Sequence, residues 1–379
     1  MIGCENHTVV VTDRGGVDVL FQLDKVNLVR WERVRDDISE AVIRVNNPGP
    51  SCCRDLADIR TGRHELVIYR GKDRVWEGPI SRITDAPDYV EIAARDVMYY
   101  AARTIMRQAY SNAHPNTDFV TERARKVMLA EMARKEALSP PINVLPHLDV
   151  RTTPTTARTA RSTKEYQMYV FDDLDTMAAR SGMDYTVVSR RIVLWDVHES
   201  IGQTRPMTDS DFIGPVIVTE YGAELCTYSA VTNGEGVWGA SGVGPVGNPS
   251  VGPYYGEWEL LHTSFEEGEA PSTDTTPPST EELRMQASRN LASRFPTPTV
   301  VRIPDSTVLN PQTTAITFDE LIPGMWIPLT ASGSCRKVSQ MQKLDKVRVE
   351  ESGTGERIML TLSPAPGSVP STITQGSDS

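Results

Sequence analysis

The chain has 379 residues, of which 39% are hydrophobic and 23% are charged, which is too apolar for a wholly disordered protein. Its length exceeds what one hydrophobic core usually holds, so we expect roughly two to four domains. The 50 acidic and 39 basic side chains give a net charge of −11, which argues against a general nucleic-acid-binding protein because such proteins present a basic face.

The first predicted domain spans residues 1–107 and is rich in β-branched and aromatic residues. Its clearest signature is a β-hairpin, in which His64–Arg70 and Arg74–Ile80 flank a turn at Gly71-Lys72-Asp73. Further strands are predicted at 8–12, 17–21, 37–45 and 89–93, with a turn at 46–50 and a helix over 95–107. The pattern predicts a small antiparallel barrel or sandwich with an exit helix.

Residues 108–215 predict a compact α+β domain. Thr117–Ala137 carries an apolar stripe at helical spacing, and a second helix, Tyr169–Arg180, ends at Ser181-Gly182. Between these helices the Thr/Arg-rich stretch Arg151–Lys164 predicts an exposed loop. Residues 185–188 and 191–195 predict a hairpin.

Residues 216–365 predict a second strand-rich domain. It contains a Gly-rich loop at 234–256, an exposed linker at 266–279 and a helix at 279–295 capped by Ser279. Strands are predicted at 216–219, 225–231, 300–303, 326–329, 336–339, 346–349 and 356–362. Residues 366–379 are rich in Ser, Thr, Gly and Pro and predict a flexible tail.

The sequence offers no motif for catalysis, cofactor binding or metal binding, and we assign no residue to any of these roles. The six histidines stand singly, without an i,i+4 pair; they are His7, His64, His114, His147, His198 and His262. Ser241 lies in a near miss to GxSxG, because Val243 replaces the second glycine. Residues 242–247 match GxGxxG, but they include Pro245 and lack a strand–turn–helix context.

Clustered charges and single tryptophans are assigned ordinary structural roles. We expect solvated acidic groups at Asp172, Asp173 and Asp175 and at Glu266, Glu267 and Glu269. We expect a solvated basic loop carrying Arg151, Arg158, Arg161 and Lys164. The tryptophans on or beside strands are assigned to core packing; they are Trp31, Trp76, Trp195, Trp258 and Trp326.

Neither a bilayer span nor a secretion signal is predicted. No stretch approaches the roughly 18 apolar residues of a span, and residues 1–25 lack the apolar centre of a signal peptide. We therefore expect a soluble protein made in the cytoplasm. The cysteines are expected to be small core residues or free thiols, and a bridge from Cys4 to Cys52 or Cys53 stays open; the other two are Cys226 and Cys335.

The order of strand-rich, α+β and strand-rich segments resembles the baseplate-hub family of tail-tip minor tail proteins, in siphophages that infect actinobacteria. In the first domain, Trp31–Ala41 is similar to the family's opening segment, and Glu65–Arg70 with Val75–Ile80 to the hairpin that follows. The helix and hairpin at 172–180 and 184–195 look like its inserted α+β domain. Leu321–Leu329 is similar to the Pro-Gly step before its final strands. The loop at 234–256 has no counterpart in the family pattern.

The resemblance implies a multidomain, β-dominated α+β fold, with two barrel-like tube domains and an inserted α+β domain. It implies a non-enzymatic structural subunit at the virion's tail tip, assembled as a homotrimer whose six tube domains form a pseudo-sixfold ring. Such a ring would join the hexameric tail tube to threefold tip components and line the DNA exit channel. Its partners would be the distal tail, tail tube, tape measure and other tip proteins. DNA would pass without specific binding or a cofactor.

Two other functions stay open. One is a tail-associated enzyme that hydrolyses cell-wall peptidoglycan or polysaccharide, because the carboxylates of such enzymes carry no sequence motif. The other is a carbohydrate-binding receptor module that uses exposed aromatic residues such as Tyr254, Tyr255 and Trp258.

Overall fold

Strands dominate the computed structural model of the chain. It describes residues 6–16, 18–23, 26–46, 48, 50–110, 118–137, 147–150, 158–159, 162–234, 236–243, 256–263, 280–295, 299–304, 306–332, 337–365 and 371–372. The helices are α1 Pro50–Ala57, α2 Tyr99–Ala102, α3 Val120–Glu136, α4 Val170–Ser181 and α5 Thr280–Arg294. The strands are β1 His7–Asp13, β2 Val19–Leu23, β3 Leu28–Val34, β4 Glu40–Asn46, β5 His64–Arg70, β6 Asp73–Asp85, β7 Tyr89–Arg95, β8 Asp118–Phe119, β9 His147–Val150, β10 Arg158–Thr159, β11 Met183–Val188, β12 Arg191–Asp196, β13 Met207–Thr208, β14 Phe212–Ile213, β15 Ile217–Glu220, β16 Tyr228–Thr232, β17 Trp238–Gly242, β18 Glu259–Thr263, β19 Thr299–Arg302, β20 Val308–Leu309, β21 Trp326–Ala331, β22 Val338–Ser352, β23 Gly355–Pro364 and β24 Ser371–Thr372. Within these ranges, no helix is long and apolar enough to cross a membrane.

The main sheet joins the beginning of the chain to its end. Its strand order is β13-β21-β22-β3-β4-β7-β6-β5-β1-β2, and β23 and β24 also pair with β22. The junction is antiparallel: Lys346 of β22 lies opposite Val34 of β3, and Val349 lies opposite Trp31. The two segments predicted as separate tube domains therefore hydrogen-bond to each other along one pair of strands.

A single hydrophobic core lies against this sheet. Along β3 buried residues alternate with half-buried ones, the period of two of a strand with one face on the core. The core combines apolar residues from the two ends of the chain, among them Trp31, Ile43, Leu66, Trp76, Ile80, Ile327, Leu344, Val347 and Leu360. Pairing of β3 with β22 is thus reinforced by side chains that pack on the same face.

The hairpin predicted at 64–80 is confirmed. Strands β5 and β6 pair antiparallel, with Val67 opposite Glu77 and Ile68 opposite Trp76, and the register shifts after Ile68. Gly71 begins the turn with a φ of 60°, which glycine adopts at little cost. Trp76 is buried, and its indole N–H donates a hydrogen bond of 3.1 Å to the Ser39 hydroxyl.

Helices α3 and α4 share a second hydrophobic cluster with the β11–β12 hairpin, which pairs with β9, and we call these elements the module. Helix α4 and the β11–β12 hairpin match the predicted bounds to within two residues. Gly182 follows α4 with a φ of 76°, the left-handed conformation expected of a glycine after a helix. The helices bury Val127, Met128 and Leu174 against the hairpin.

Several predictions of local structure were wrong. The loop predicted at 234–256 contains strand β17, which pairs with β16. The strands predicted at 336–339 and 346–349 both overlap one long strand, β22, whose first residues, 338–343, pair with β21. The helix predicted over 95–107 is confined to α2, because Arg95 still pairs in β7 and Ile105 bridges Tyr169.

Other differences concern the chain ends and the cysteines. Helix α1 follows the predicted turn at 46–50 and was not foreseen. In the predicted tail, β24 pairs with β22. Cys53 is a free thiol, so the alternative Cys4–Cys53 bridge is not formed, and Cys226 is free and buried. The linker at 266–279, which includes Ser279, lies outside the described residues. So does Thr117, the first residue of the helix predicted at 117–137.

A substitution at Gly78 tests the close approach of β6 to the end of β7. A Cβ atom at this position would lie 2.7 Å from the Asp96 Cα and closer still to the Arg95 carbonyl oxygen. We expect Gly78→Ala to lower the free energy of unfolding by about 3 kcal/mol, because backbone atoms would have to move apart. Gly353→Ala is the control, since a Cβ there meets no atom within 4 Å. Chemical denaturation measures both variants, and equal stability of the two would contradict the packing.

Candidate functional site

Charged groups that are buried or half-buried gather where distant segments of the chain meet. Three such groups are named here by one member each: the Arg35 cluster, the Glu65 cluster and the His7 cluster. Isolated buried charge is costly, so each ion needs an opposite charge and hydrogen bonds to be tolerated. These three clusters join distant segments of the described chain.

The Arg35 cluster contains Arg35, Asp36, Asp184, Lys343 and Asp345. The Arg35 guanidinium donates to Asp36 at 2.7 Å, to Asp184 at 3.0 Å and to Asp345 at 2.9 Å. Lys343 forms an ion pair with Asp184, and both side chains are buried. The cluster thus ties together the end of β3, the start of β11 and the centre of β22.

Backbone hydrogen bonds reinforce this junction. The Asp36 N–H donates to the Tyr185 carbonyl at 2.9 Å, and the Tyr185 N–H donates to the Asp36 carboxylate at 2.8 Å. The Thr186 hydroxyl donates to the Val34 carbonyl at 2.8 Å. Asp36 adopts a φ of 57°, a left-handed conformation that short polar residues tolerate better than others. Nearby, Gly324 lies so close to the Trp195 indole that no Cβ would fit between them.

The Glu65 cluster holds the other end of the β11–β12 hairpin. Arg190, next to the hairpin turn, donates to Glu65 of β5 at 2.8 Å and lies 3.9 Å from Glu77 of β6. Arg74 pairs with Glu77, and the Tyr100 hydroxyl donates to Glu65. Burial raises the pKa of Glu77 above its ordinary value, although Arg74 and Arg190 oppose the rise. The module is therefore docked on the hairpin of the main sheet through ion pairs.

The His7 cluster links β1 to the end of β22 and the start of β23. His7 Nδ1 lies 2.6 Å from the Glu351 carboxylate, and the Trp31 indole N–H donates to His7 Nε2 at 3.1 Å. Since Nε2 accepts, Nδ1 carries the proton that is donated to Glu351. Arg70 makes a two-pronged contact with Glu356 at 2.6 and 2.9 Å. Burial lowers the pKa of His7, which favours this neutral form.

The fully covered carboxylates of these clusters fit structural ion pairs better than acid–base chemistry. The side chains of Glu65 and Glu77 have no solvent exposure, and that of Glu356 has 1%. A polymeric substrate cannot reach carboxylates that are covered and paired with arginine. Among the described residues, no group of three or more His, Cys, Asp or Glu side chains is placed to hold a metal ion.

The histidines considered in the sequence do not converge in the described part of the chain. His7 lies in an ion cluster, His64 accepts from the Arg60 N–H, and His262 is exposed on β18. His198 lies near Asp196, and its pKa is lowered by burial. His114 and the side chain of His147 lie outside the described residues.

One expectation about acidic residues was wrong. Asp173 is fully buried and pairs with the Arg123 guanidinium at 2.7 Å, whereas Asp172 lies in the first turn of α4 and bonds to the Tyr169 N–H. Asp175 is exposed, as expected. Of the predicted basic loop, Lys164 is exposed, while Arg151, Arg161 and the side chain of Arg158 lie outside the described residues. The second acidic group, Glu266, Glu267 and Glu269, also lies outside them. Ser241 lies in β17 opposite Ser229.

Of the six tryptophans, three are buried, two are exposed, and Trp326, which was predicted to be core, is half-buried. Trp31, Trp76 and Trp195 are in the core as predicted. Trp258, also predicted to be core, is 53% exposed, and Trp238, which the sequence analysis did not consider, is 61% exposed. Trp238 begins β17, and Trp258 directly precedes β18, so Trp238 belongs to the small sheet β17-β16-β18 and Trp258 lies beside it.

The small sheet turns an apolar face to solvent and packs its other face on α5. Val231 on the inner face contacts Leu283 and Ala287 of the helix. On the outer face Trp238 lies opposite Thr232, and the Tyr228 ring lies over Gly242, whose Cβ would meet the ring at 2.9 Å. Leu261 is 73% exposed on the neighbouring strand. We call Tyr228, Trp238 and Leu261 the aromatic face.

The fold is similar to that of proteins from phage tails. The 43 kDa tail protein of prophage MuSo2 from Shewanella oneidensis has a TM-score of 0.61 at 9% identity, covering 96% of this chain and all of its own. A tail protein from Neisseria meningitidis gives 0.57 at 11% identity, covering 95% and 96%. Prophage tail protein gp18 from Listeria monocytogenes gives 0.57 at 9% identity, covering 93% and 94%. No protein-family model and no curated protein sequence matches the chain.

Arg190 tests the docking of the module. We expect Arg190→Gln to lower the free energy of unfolding by about 3 kcal/mol at neutral pH, because it leaves Glu65 and Glu77 buried with less opposite charge. Loss of Arg190 raises the pKa of Glu77 further, so protonation relieves the defect and the loss of stability should shrink as the pH falls. Denaturation at several pH values measures the effect. Arg191→Gln, at the exposed next residue, is the control; an equal, pH-independent loss in both variants would contradict the docking.

Proposed function

We propose that this chain is a structural, non-enzymatic subunit of a phage tail. The observation that carries the proposal is the likeness of nearly the whole chain to nearly the whole of three tail proteins. Similarity over entire chains is the pattern of a shared architecture rather than of one common module. The covered carboxylates of the interior agree with a structural role.

Within the tail, we place the chain at the tip as a baseplate hub. Three copies would form a ring whose two tube domains per copy, 1–107 and 216–365, make six similar units, with the α+β domain 108–215 inserted between them. Such a ring would join the hexameric tail tube to threefold tip components and contact the distal tail and tape measure proteins. Closed rings of this kind follow from cyclic symmetry. From the sequence resemblance, we propose that the phage is a siphophage that infects actinobacteria.

The charge of the chain suits a channel for DNA. A net charge of −11 repels the phosphate backbone and lets DNA pass without adhering. The ion-pair clusters also suit a subunit of a channel wall, because ion pairs between distant segments hold the subunit in one shape.

Mass and symmetry test the hub proposal. We expect the purified full-length chain to form trimers in native mass spectrometry, and to be found by imaging at the tip of the virion. A stable monomer that is absent from the particle would overturn the proposal. Clearing of host cell wall in a zymogram, abolished by one carboxylate substitution, would favour a hydrolase instead.

Carbohydrate binding is a second candidate function, favoured by the aromatic face. Exposed indole and phenol rings offer flat apolar surfaces with polar edges, on which the C–H faces of sugar rings stack. Two exposed tryptophans on or beside one small sheet contrast with the three that are in the core.

Glycan arrays and wall polysaccharide fragments test this second candidate. If the aromatic face binds sugar, we expect Trp238→Ala to reduce binding at least tenfold without changing the fold. Tyr166→Ala is the matched control, because Tyr166 is exposed to a similar degree, at 66%, in a different part of the chain. Equal binding by wild type and Trp238→Ala would reject the aromatic face as a sugar site.

A further inference from the structure

The face of the main sheet that points away from the core is rich in arginine. Side chains on this face alternate with those that enter the core, so the register between strands shows which of them lie together. One row of the face runs from Arg357 on β23 through Arg30 on β3 to Arg82 on β6. We call this surface the arginine face. The register places on it seven basic side chains, Arg30, Arg44, Arg82, Arg95, Lys346, Arg348 and Arg357, and four acidic ones, Glu32, Glu40, Glu91 and Glu350.

The charge of the arginine face limits what can cover it. Seven basic and four acidic side chains leave the face positive, whereas the whole chain carries −11, so the excess of acid lies elsewhere on the chain. A contact that set two arginine faces against each other would join like charges. A contact between copies is therefore expected to be heterologous, with the arginine face of one copy against a different surface of the next. The interleaved carboxylates disfavour nucleic acid, because they would face phosphate groups.

The aromatic face offers chemistry that complements arginine. Guanidinium groups stack on the rings of tryptophan and tyrosine, and Trp238 is 61% exposed and Tyr228 38%. Glu259 is also exposed and lies opposite Tyr228 on the neighbouring parallel strand. Among the residues that the three strands place on this side of the small sheet, none is basic; they are Tyr228, Ala230, Thr232, Trp238, Ala240, Gly242, Glu259, Leu261 and Thr263.

We propose that the arginine face of one copy docks on the aromatic face of the next copy. The inference rests on the ring of three copies in the proposed function, and it names the two surfaces that would close that ring. A head-to-tail contact uses each surface once per copy, so a closed ring leaves neither uncovered. The arginine face is then turned away from the channel, where it would bind DNA. The aromatic face is covered as well, so the ring excludes sugar binding there.

Self-association of the full-length chain, measured by sedimentation velocity, tests the contact. Arg82→Glu with Arg348→Glu reverses two charges of the arginine face, and Leu261→Arg adds a positive charge to the aromatic face. Each change should raise the dissociation constant at least about tenfold, because like charges then meet across the contact. Arg125→Glu with Arg205→Glu is the matched control, since these arginines are 47% and 59% exposed and each pairs with one glutamate, as Arg82 and Arg348 do.

Mixing the two kinds of variant separates a head-to-tail contact from a symmetric one. The Arg82→Glu, Arg348→Glu chain keeps an intact aromatic face, and the Leu261→Arg chain keeps an intact arginine face. An equimolar mixture should therefore form pairs of one copy each, although neither variant associates with itself. Pairing in the mixture also shows that both variants are folded.

Three results would overturn the contact. One is self-association of the face variants that equals that of their controls, which for Leu261→Arg is Val19→Arg, at a valine that is 59% exposed on β2. Trimers that persist in this way would leave the hub proposal standing with other surfaces between its copies. Another is a mixture in which the two variants stay monomeric. The third is a wild-type chain that is monomeric, and imaging of the virion then decides separately whether the chain is a tail protein.

Discussion

The antiparallel pairing of β22 with β3 is the constraint on which the rest of the structure depends. It brings residues that are more than 300 positions apart in the chain into one ladder, with Lys346 opposite Val34. The same pairing sets Asp345 beside Arg35 and carries Glu351 to His7. If β22 slipped by one residue, its core-facing side chains would turn to solvent and these ion pairs would break together.

Buried charge makes the pairing specific as well as stable. Replacing an ion pair by apolar residues is often harmless, but leaving one partner alone costs several kcal/mol. A small displacement of the module would leave Glu65 or Asp184 without a cation, so intermediate positions are penalised. Apolar packing in the shared core tolerates such shifts better, because it is less directional. The clusters thus select one arrangement among the many that the core would accept.

The sequence predicts those elements of the fold that are determined by residues adjacent in the chain. The hairpin at 64–80 and helix α4 with Gly182 were found because turn and cap residues lie next to the elements that they end. The β3–β22 pairing could not be found, since no local pattern states which strand lies opposite another. The partners of Arg35, Arg190 and His7 were missed for the same reason, because each is supplied by a distant segment. Trp238 was missed because its glycine-rich surroundings resemble a loop.

The two attachments of the module differ in kind, and the difference determines where it would first come loose. At the Arg190 end, two arginine side chains face two glutamate side chains, and both glutamates are fully covered. At the Asp36 end, water reaches part of the cluster, because 27% of the Asp36 side chain and 23% of the Asp345 side chain are exposed. Since ion pairs that water reaches contribute less than covered ones, we expect the hairpin to open from its base, with Arg190 as the fixed point. Gly324 lies against Trp195 near that base, so opening would also free the Pro323-Gly324 step that leads into β21 and the final strands.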